Sequence, residues 1–320
     1  MADYDVFNGD ADGICSLIQL RLEFPKDSIP VTGVKRDIEL LKNIKVQEGD
    51  CITVLDISME KNIAPLKEAL NSGAAVFYAD HHRSGDIPKN SKLEALIDLS
   101  PDTCTALIID KYLSGKYKAW AITAAFGDNL KKEARFFAEE NSFSEDEISL
   151  MDQLGTYINY NGYGESLDDL HYPPAELYKI MKSYGTPFEF IEKEKLVFET
   201  LKHGYEEDIR SANSLEAEFE NEIAAMYILP DKKWARRVSG VFSNELAIRN
   251  PDRAHAVLTE KKSGDYLVSI RAPKTKMHGA SDIAAKFPGG GGRAAAAGIN
   301  NLPKSSLSKL FQELLKYYAH

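Results

Sequence analysis

The chain has 320 residues, of which 43% are hydrophobic and 28% are charged, an ordinary globular composition with enough length for two domains. Its net charge of −10 disfavours proteins that hold long nucleic acid, because these usually present a basic surface to many phosphates. No apolar run reaches the ~18 residues of a membrane span, and the first residues lack the basic start and apolar core of a signal peptide, so we expect neither a membrane span nor secretion.

The N-terminal third alternates short apolar runs with helical segments, which predicts a parallel sheet covered by helices on both faces. The predicted strands are residues 4–7, 31–34, 51–55, 74–79 and 93–98. The predicted helices are residues 14–22, 38–44 and 59–70, the last of them limited by Pro65.

The middle of the chain is predicted to be mostly helical, with helices at residues 103–113 and 118–125 and, with breaks, at 131–157. The segment 157–164 is rich in tyrosine, asparagine and glycine, and we interpret it as a packed loop rather than a base-stacking platform. Residues 188–226 are charged and mostly helical in pattern, which indicates a connector to a second domain.

The C-terminal part changes in composition, since basic residues outnumber acidic ones from 232 to 276. We predict strands at 238–242, 254–258 and 266–271, a short helix at 282–287 and an amphipathic helix at 307–318. The fold class is therefore α/β. We predict an N-terminal parallel-sheet domain over residues 1–185, a helical connector over 186–212 and a smaller C-terminal α/β domain over 213–320.

Acidic or imidazole side chains follow four of these predicted elements. They are Asp10 and Asp12 after the first strand, Asp56 after the third, Asp80-His81-His82 after the fourth, and Asp128 after the apolar run 119–127. Ligand chemistry in open α/β sheets gathers at the carboxyl ends of the strands. Each residue alone is equally well explained as a cap or a turn residue, but the four groups together predict one shared polar site.

Carboxylates with one or two imidazoles suit manganese, magnesium or iron better than a structural zinc. The predicted ligands are sufficient for two neighbouring metal ions that share one carboxylate. Such a pair activates water and stabilises the charge that develops on a phosphoryl oxygen. Acid–base catalysis without metal is an alternative, although it explains the number of carboxylates less well.

The glycine run Gly289 to Gly292 leads through Arg293 into an alanine-rich segment. Free backbone N–H groups of glycines can hold a phosphate, and the guanidinium of Arg293 can bind it with two hydrogen bonds. Arg271, on a neighbouring predicted strand, could add a second anion contact. The alternatives are a flexible loop for the glycines and a surface ion pair for Arg271.

The cysteines Cys15, Cys51 and Cys104 are widely spaced and lie in apolar contexts. An odd number without paired spacing indicates reduced thiols in a cytoplasmic protein. Cys15 is near the acidic residues in sequence, but a small buried apolar residue is a better interpretation than a reactive thiol.

Taken in order, these motifs resemble the DHH phosphoesterase superfamily with its DHH-associated C-terminal domain, in the manner of RecJ-like and oligoribonuclease-like phosphodiesterases. The motifs that carry the resemblance are Asp10-Ala11-Asp12-Gly13, Asp56, Asp80-His81-His82, Gly127-Asp128 and the run from Gly289 to Gly298. The tripeptide alone is a weak signal, but the ordered set spans nearly the whole chain and is specific.

The resemblance implies two α/β lobes with a cleft between them, and a site for two Mn²⁺ ions in the N-terminal, catalytic lobe, with Mg²⁺ or Co²⁺ as alternatives. The implied metal ligands are Asp10, Asp12, Asp56 as the bridging residue, His81 and Asp128. His82 would lie near the scissile phosphate, and Asp80 would orient an imidazole. The implied substrate-binding residues of the other lobe are Arg271, Gly290, Gly291, Gly292 and Arg293.

Two positions depart from the family pattern. Asn8 stands where many members have a histidine or aspartate ligand, and a neutral amide would hold one metal ion loosely. Arg293 stands where many members have histidine after the glycines. A permanent cation with two parallel donors suits a terminal phosphate or the edge of a guanine.

The resulting functional expectation is a manganese-dependent phosphodiesterase that hydrolyses short linear nucleotides, best dinucleotides such as pGpG or pApA, to mononucleotides. The alternatives within the class are a short-oligonucleotide exonuclease, a cyclic-dinucleotide phosphodiesterase and a 3′-phosphoadenosine phosphatase. Asn8 keeps open a non-catalytic nucleotide-binding regulator. An RNA-associated module, like the related C-terminal domains of alanyl-tRNA synthetases, is disfavoured by the intact ligand set. The expected partners are a short linear nucleotide and, optionally, a second copy of the chain, without long duplex nucleic acid or a membrane.

Overall fold

The computed structural model describes residues 1–319 and divides them into a unit of Met1–His203 and a second unit that begins at Gly204. Both units combine a sheet with helices, and the first contains a parallel sheet, as the sequence predicts. Among residues 1–319, every helix is too short or too polar to cross a membrane.

The sheet of the first unit has five parallel strands in the order β2-β1-β3-β4-β5. The strands are β1 (Asp3–Phe7), β2 (Ile29–Val31), β3 (Cys51–Leu55), β4 (Ala75–Asp80) and β5 (Leu93–Ile97). The chain passes outward from β1 to β2 and then returns to β3 on the other side of β1. Open α/β sheets bind ligands at such a reversal of strand order, at the carboxyl ends of the strands, here those of β1 and β3.

The register places the ends of three strands level with one another. Phe7 pairs with Leu55, and Leu55 pairs with Ala79. The residues that follow β1 and β3, and the last residue of β4, therefore emerge at the same edge of the sheet. This register brings Asn8, Asp56 and Asp80 to one place.

Nine helices lie wholly or partly in the first unit. They are α1 (Ala11–Glu23), α2 (Ile63–Asn71), α3 (Thr105–Tyr112), α4 (Lys118–Gly127), α5 (Lys131–Glu140), α6 (Glu145–Asn161), α7 (Pro174–Met181), α8 (Pro187–Lys193) and α9 (Lys195–Asn213), which continues into the second unit. Pro65 is tolerated because it lies in the first turn of α2, where an N–H group has no partner within the helix. Ser144 and Glu147 form a capping box that starts α6.

Two glycines allow α1, α4 and α6 to pack closely. A Cβ atom on Gly155 would lie 2.0 Å from the carbonyl oxygen of Thr123, and one on Gly127 would lie 2.4 Å from the Cβ atom of Ala11. Neither position can therefore hold a larger residue without moving a helix. The close packing brings the end of α4 to the start of α1.

The second unit contains a six-stranded sheet in the order β10-β11-β9-β8-β7-β6, in which only β7 and β8 pair in parallel. Its elements are β6 (Phe219–Glu220), β7 (Ala224–Leu229), α10 (Lys233–Arg249), β8 (Ala254–Glu260), β9 (Tyr266–Arg271), α11 (Ala280–Ala284), β10 (Gly290–Gly292), β11 (Ala296–Leu302) and α12 (Leu307–Tyr318). One apolar cluster holds Leu310 and Leu314 of α12, and another holds Val238 and Phe242 of α10.

Three local predictions are wrong. Residues 238–242, predicted as a strand, lie within α10, because their apolar residues continue a helical stripe through Ala235, Val238, Phe242 and Leu246. Residues 157–161, predicted as a loop, form the last turns of α6, where Tyr157 and Tyr160 are buried. Residues 224–226, predicted within a mostly helical stretch, begin β7.

His255 of β8 is buried, and it should make the stability of the protein depend on pH. Burial, assisted by the charge of Arg253, lowers the pKa of His255 to about 4. Between pH 7 and pH 5 the unfolded chain takes up a proton that the folded protein does not, which lowers the free energy of unfolding by about 2 kcal/mol. Urea denaturation at both pH values measures this loss. A His255→Leu variant should lose less stability than the wild type over the same range, and an equal loss in both would contradict the assignment.

Candidate metal centre

The predicted acidic site forms at the carboxyl edge of the first sheet. Asp10 follows β1 and caps α1, Asp56 follows β3, and Asp80 is the last residue of β4. Asp128 follows the last residue of α4. The close packing of α1 and α4 carries Asp128 to the same place as Asp12 at the start of α1.

His81 is the imidazole on which three carboxylates converge. Its Nε2 atom lies 3.5 Å from Asp56 Oδ1 and 3.8 Å from both Asp12 Oδ2 and Asp128 Oδ2. Its Nδ1 atom lies 3.1 Å from the carbonyl oxygen of Thr103, which can only accept a hydrogen bond. Nδ1 therefore donates this hydrogen bond, which turns Nε2 toward the carboxylates, the orientation that a metal-ligating histidine also adopts.

The carboxylate of Asp12 is held by the first turn of α3. Its Oδ2 atom accepts a hydrogen bond from the N–H of Thr105 at 2.8 Å, and its Oδ1 atom accepts one from the N–H of Ala106 at 2.7 Å. The hydroxyl of Thr105 also donates to Asp56 Oδ1 at 3.1 Å. Thr105 thus orients two of the acidic residues, and sequence analysis did not identify it.

Asp56 is buried among like charges. Burial, followed by the charges of Asp12 and Asp10, raises the pKa of Asp56 well above its usual value. A bound cation would reverse this effect, because a positive charge favours the ionised carboxylate. The ligand atoms of Asp12, His81 and Asp128 lie within 4.8 Å of one another, as do those of Asp56, His81 and His82. Oxygen and imidazole donors at this spacing fit a divalent manganese-type ion.

Lys35 places a positive charge inside the acidic cluster. Its Nζ atom lies 2.6 Å from Asp10 Oδ2 and 3.8 Å from Asp128 Oδ1. Burial alone would lower the pKa of Lys35, but the charge of Asp10 more than offsets this and raises it well above the usual value. Sequence analysis did not identify Lys35. Its position shortly after β2, at the same sheet edge as the acidic residues, was the available signal.

Asp80 and His82 form a pair beside this cluster. His82 Nδ1 lies 2.7 Å from Asp80 Oδ1, and Asp80 is completely buried. The His82 side chain is about one-third exposed, at 34%, so its outer edge is accessible to solvent. The Asp80 carboxylate thus lies beside an imidazole, and its role in orienting that ring stays a prediction.

The sequence matches no protein-family model and no curated protein, but its fold matches solved structures. A DHH-domain member of the s1p family of ribosomal proteins aligns with a TM-score of 0.65 and 13% identity, over 99% of this chain and 86% of that chain. Exonuclease RecJ bound to manganese aligns with a TM-score of 0.60 and 16% identity, over 100% of this chain and 90% of that chain. The pGpG-specific phosphodiesterase PggH from Vibrio cholerae aligns with a TM-score of 0.55 and 12% identity, over 100% of this chain and 99% of that chain. This chain has the DHH fold.

The DHH fold confirms the family resemblance predicted from the ordered motifs, at the level of architecture. The motif residues Asp10, Asp12, Asp56, His81 and Asp128 lie together at one edge of the sheet. Their roles as ligands stay predictions.

The glycine run of this chain is a strand rather than a free loop. Gly290–Gly292 forms β10 at the edge of the second sheet, paired with β11. The N–H of Gly290 donates to the carbonyl oxygen of Phe287 at 3.0 Å, and a Cβ atom there would lie 1.9 Å from the carbonyl oxygen of Ala284. Gly290 is therefore explained by close packing against α11.

Arg271 and Arg293 lie near each other in the second unit. Arg271 ends β9 and pairs with Ala296 of β11, and Ala296 closes a turn with Arg293 through reciprocal backbone hydrogen bonds. The Nε atom of Arg271 donates to Asn244 Oδ1 at 2.8 Å, which fixes the guanidinium. The two cations therefore occupy one end of this sheet.

Both Cys15 and Cys104 are buried near the cluster. Burial, together with the charge of Asp12, raises the pKa of both thiols well above the usual value. A buried thiol held in its neutral form is a poor nucleophile, which agrees with the interpretation of Cys15 as a small apolar residue.

Proposed function

We propose that this chain is a metal-dependent phosphodiesterase that hydrolyses short linear nucleotides, best dinucleotides such as pGpG or pApA, to mononucleotides. The observation that carries the proposal is the convergence of Asp12, Asp56 and Asp128 on the Nε2 atom of His81. Such a group of oxygen and imidazole donors suits a divalent cation of the manganese type.

The residues that would hold the metal ion are Asp12, Asp56, His81 and Asp128, with Mn²⁺ as the proposed ion. When bound, a divalent ion of this kind lowers the pKa of water and offsets negative charge on a phosphoryl oxygen. The chain supports this role with fixed donors, since the first turn of α3 and the hydroxyl of Thr105 hold the carboxylates in place. Preorganised ligands do not have to be reoriented during the reaction.

His82 would act on the substrate phosphate. Its Nδ1 atom lies 2.7 Å from Asp80 Oδ1, and its proposed role is to donate a hydrogen bond or a proton to an oxygen of the scissile group. The proposed role of Asp80 is to orient this ring.

Short substrates are favoured by the charge of the protein. The chain carries a net charge of −10, which opposes the many phosphate contacts that a long strand needs. Arg271 and Arg293 are proposed to hold the end of the nucleotide that is not cleaved. The exonuclease alternative has independent support, because RecJ is among the proteins with the same fold.

Hydrolysis of a substrate panel tests the proposal. The panel contains pGpG, pApA, longer oligoribonucleotides, cyclic dinucleotides and 3′-phosphoadenosine, each with Mn²⁺ or with a chelator, and products are identified by mass. We expect linear dinucleotides to be cleaved fastest and the chelator to abolish cleavage. Faster cleavage of the longer strands would favour the exonuclease, and nucleotide binding without any turnover would favour a regulator.

Replacing Arg293 by alanine should raise the KM for a dinucleotide about tenfold, or 1.4 kcal/mol of binding free energy, with little change in kcat. The reason is that the variant loses the bidentate hydrogen bonds of the guanidinium to an anionic group of the nucleotide, remote from the reacting phosphate. Steady-state kinetics measure the effect. Arg249→Ala, which removes an arginine paired with Glu245 at the end of α10, is the control and should leave KM unchanged. An unchanged KM in Arg293→Ala would exclude the anchoring role.

A further inference from the structure

Asp10 lies closer to a cation than Asp128 does, since Lys35 Nζ is 2.6 Å from Asp10 Oδ2 and 3.8 Å from Asp128 Oδ1. The Oδ1 atom of Asp10 accepts hydrogen bonds from the N–H groups of Asp12 and Gly13, both at 3.1 Å. Both oxygens are therefore engaged by donors of this chain. A metal ion on Oδ2 would lie close to the ammonium group, and two cations at such a distance repel each other strongly in a buried site.

The lysine is held in place along its whole length. Its backbone N–H donates to the carbonyl oxygen of Gly162 at 2.8 Å, and its Nζ atom donates to Asn159 Oδ1 at 2.7 Å. The side chain is 22% exposed and that of Asp10 is 3% exposed. Lys35 is thus part of the built site and not a surface side chain that happens to reach it.

The neighbouring Asn8 belongs to the same arrangement. Its Nδ2 atom donates to the carbonyl oxygen of Lys35 at 3.3 Å. Asn8, which follows β1, therefore contributes a neutral amide, and Lys35 contributes a positive charge. The surroundings of Asp10 therefore contain a neutral amide and a cation.

The metal-binding groups among residues 1–319 reflect these surroundings of Asp10. Asp12, His81 and Asp128 form one compact set of three ligand atoms, and Asp56, His81 and His82 form another. In the second set, His82 Nδ1 is already paired with Asp80. Asp10 belongs to neither set. The first set, with Asp56 3.5 Å from the shared imidazole, is the better place for an ion.

We propose that the Lys35 ammonium takes the place of a second metal ion beside Asp10, so that the protein binds one Mn²⁺ per chain, at Asp12, Asp56, His81 and Asp128. The inference rests on the proposed metal-dependent function. It gives Lys35 a positioning role, since a fixed positive charge balances Asp10 and part of the charge of Asp128 whether or not the metal ion is bound.

The first test is the manganese content of the wild-type protein. The protein is loaded with Mn²⁺, free metal is removed, and bound metal is measured by elemental analysis together with electron paramagnetic resonance. We expect one ion per chain and the spectrum of an isolated Mn²⁺. Two ions with a spin-coupled spectrum, in a protein whose hydrolysis is chelator-sensitive, would overturn this inference and leave the proposed function intact. No bound ion at any Mn²⁺ concentration would overturn both.

The second test removes the ammonium. Lys35→Met keeps the length and apolar stem of the side chain and should allow a second ion to bind, seen as additional metal and as spin coupling. Lys35→Arg keeps the charge and should still bind one ion. A Lys35→Met protein that still binds one ion would overturn the inference, and if this variant does not fold, the wild-type measurement decides.

Lys118→Met is the matched control. Lys118 pairs with Asp110 outside the acidic cluster, and the side chains are 27% and 7% exposed, similar to those of Lys35 and Asp10. Lys118→Met therefore removes an ion pair of similar burial without freeing a carboxylate of the acidic cluster. The manganese content should therefore equal that of the wild type, and a second ion in this variant would show that the Lys35→Met result is not specific.

Discussion

Replacing Asp56 by asparagine should lower the rate of dinucleotide hydrolysis by at least about 1,000-fold, or roughly 4 kcal/mol of transition-state free energy. Asp56 is the carboxylate nearest to His81 Nε2, at 3.5 Å, and it lies between the ends of the neighbouring strands. An amide has no charge to hold a divalent ion. The measurement is kcat/KM with saturating Mn²⁺ for the wild type and the variant.

Asparagine is the appropriate replacement because of the backbone at this position. Asp56 has a φ angle of +58°, a left-handed conformation that asparagine adopts more easily than alanine does. The amide oxygen can also still accept the hydrogen bond from Thr105. Since burial and like charges raise the pKa of Asp56, removing its charge should leave the metal-free protein at least as stable as the wild type at pH 7. Mn²⁺ should raise the Tm of the wild type more than that of the variant.

Asp50, at the other end of β3, is the control for Asp56. It precedes β3, whereas Asp56 follows it, and it is buried and accepts hydrogen bonds from the N–H groups of Ala2 and Gln47. Asp50→Asn should change stability slightly and leave kcat/KM as in the wild type. If Asp56→Asn retained more than a tenth of the wild-type rate, Asp56 would not belong to the proposed metal site.

Most parts of the site that sequence analysis predicted follow buried strands, whereas Asp128 follows the apolar helix α4. The apolar runs before Asp56 and Asp80 are short, continuous and terminated by charge, so strand ends and ligand candidates could be read together. Parallel pairing in level register then brings Asn8, Asp56 and Asp80 to one edge without any further information.

The parts that the sequence did not predict depend on contacts between distant segments. Thr105 reaches Asp56, and Lys35 reaches Asp10 and Asn159, only after the sheet and helices have assembled. A single lysine or threonine outside a motif carries no periodic signal. The error at 238–242 has a different cause, because a window of that length cannot distinguish a buried strand from one face of a helix.

The second large effect is expected for the pair formed by Asp80 and His82. His82→Gln should lower kcat by about 100-fold, since it removes a group that can transfer a proton to the substrate, and should change KM little. Asp80→Asn should lower kcat by about 10- to 100-fold, because the ring loses the charged partner that orients it. Both variants are compared with the wild type at saturating dinucleotide and Mn²⁺.

A double variant that combines Asp80→Asn with His82→Gln distinguishes an orienting role of Asp80 from a structural one. Asp80 is completely buried and its paired oxygen lies 2.7 Å from His82 Nδ1. If Asp80 acts through His82, then Asp80→Asn costs nothing more once the imidazole is gone, and the double variant should be as slow as His82→Gln alone. If Asp80 instead supports the fold of the whole site, the two losses in kcat multiply and the melting temperature of both Asp80 variants falls. Multiplied losses would therefore exclude the orienting role, whereas equal rates in the His82 and double variants would establish that the carboxylate works through this ring.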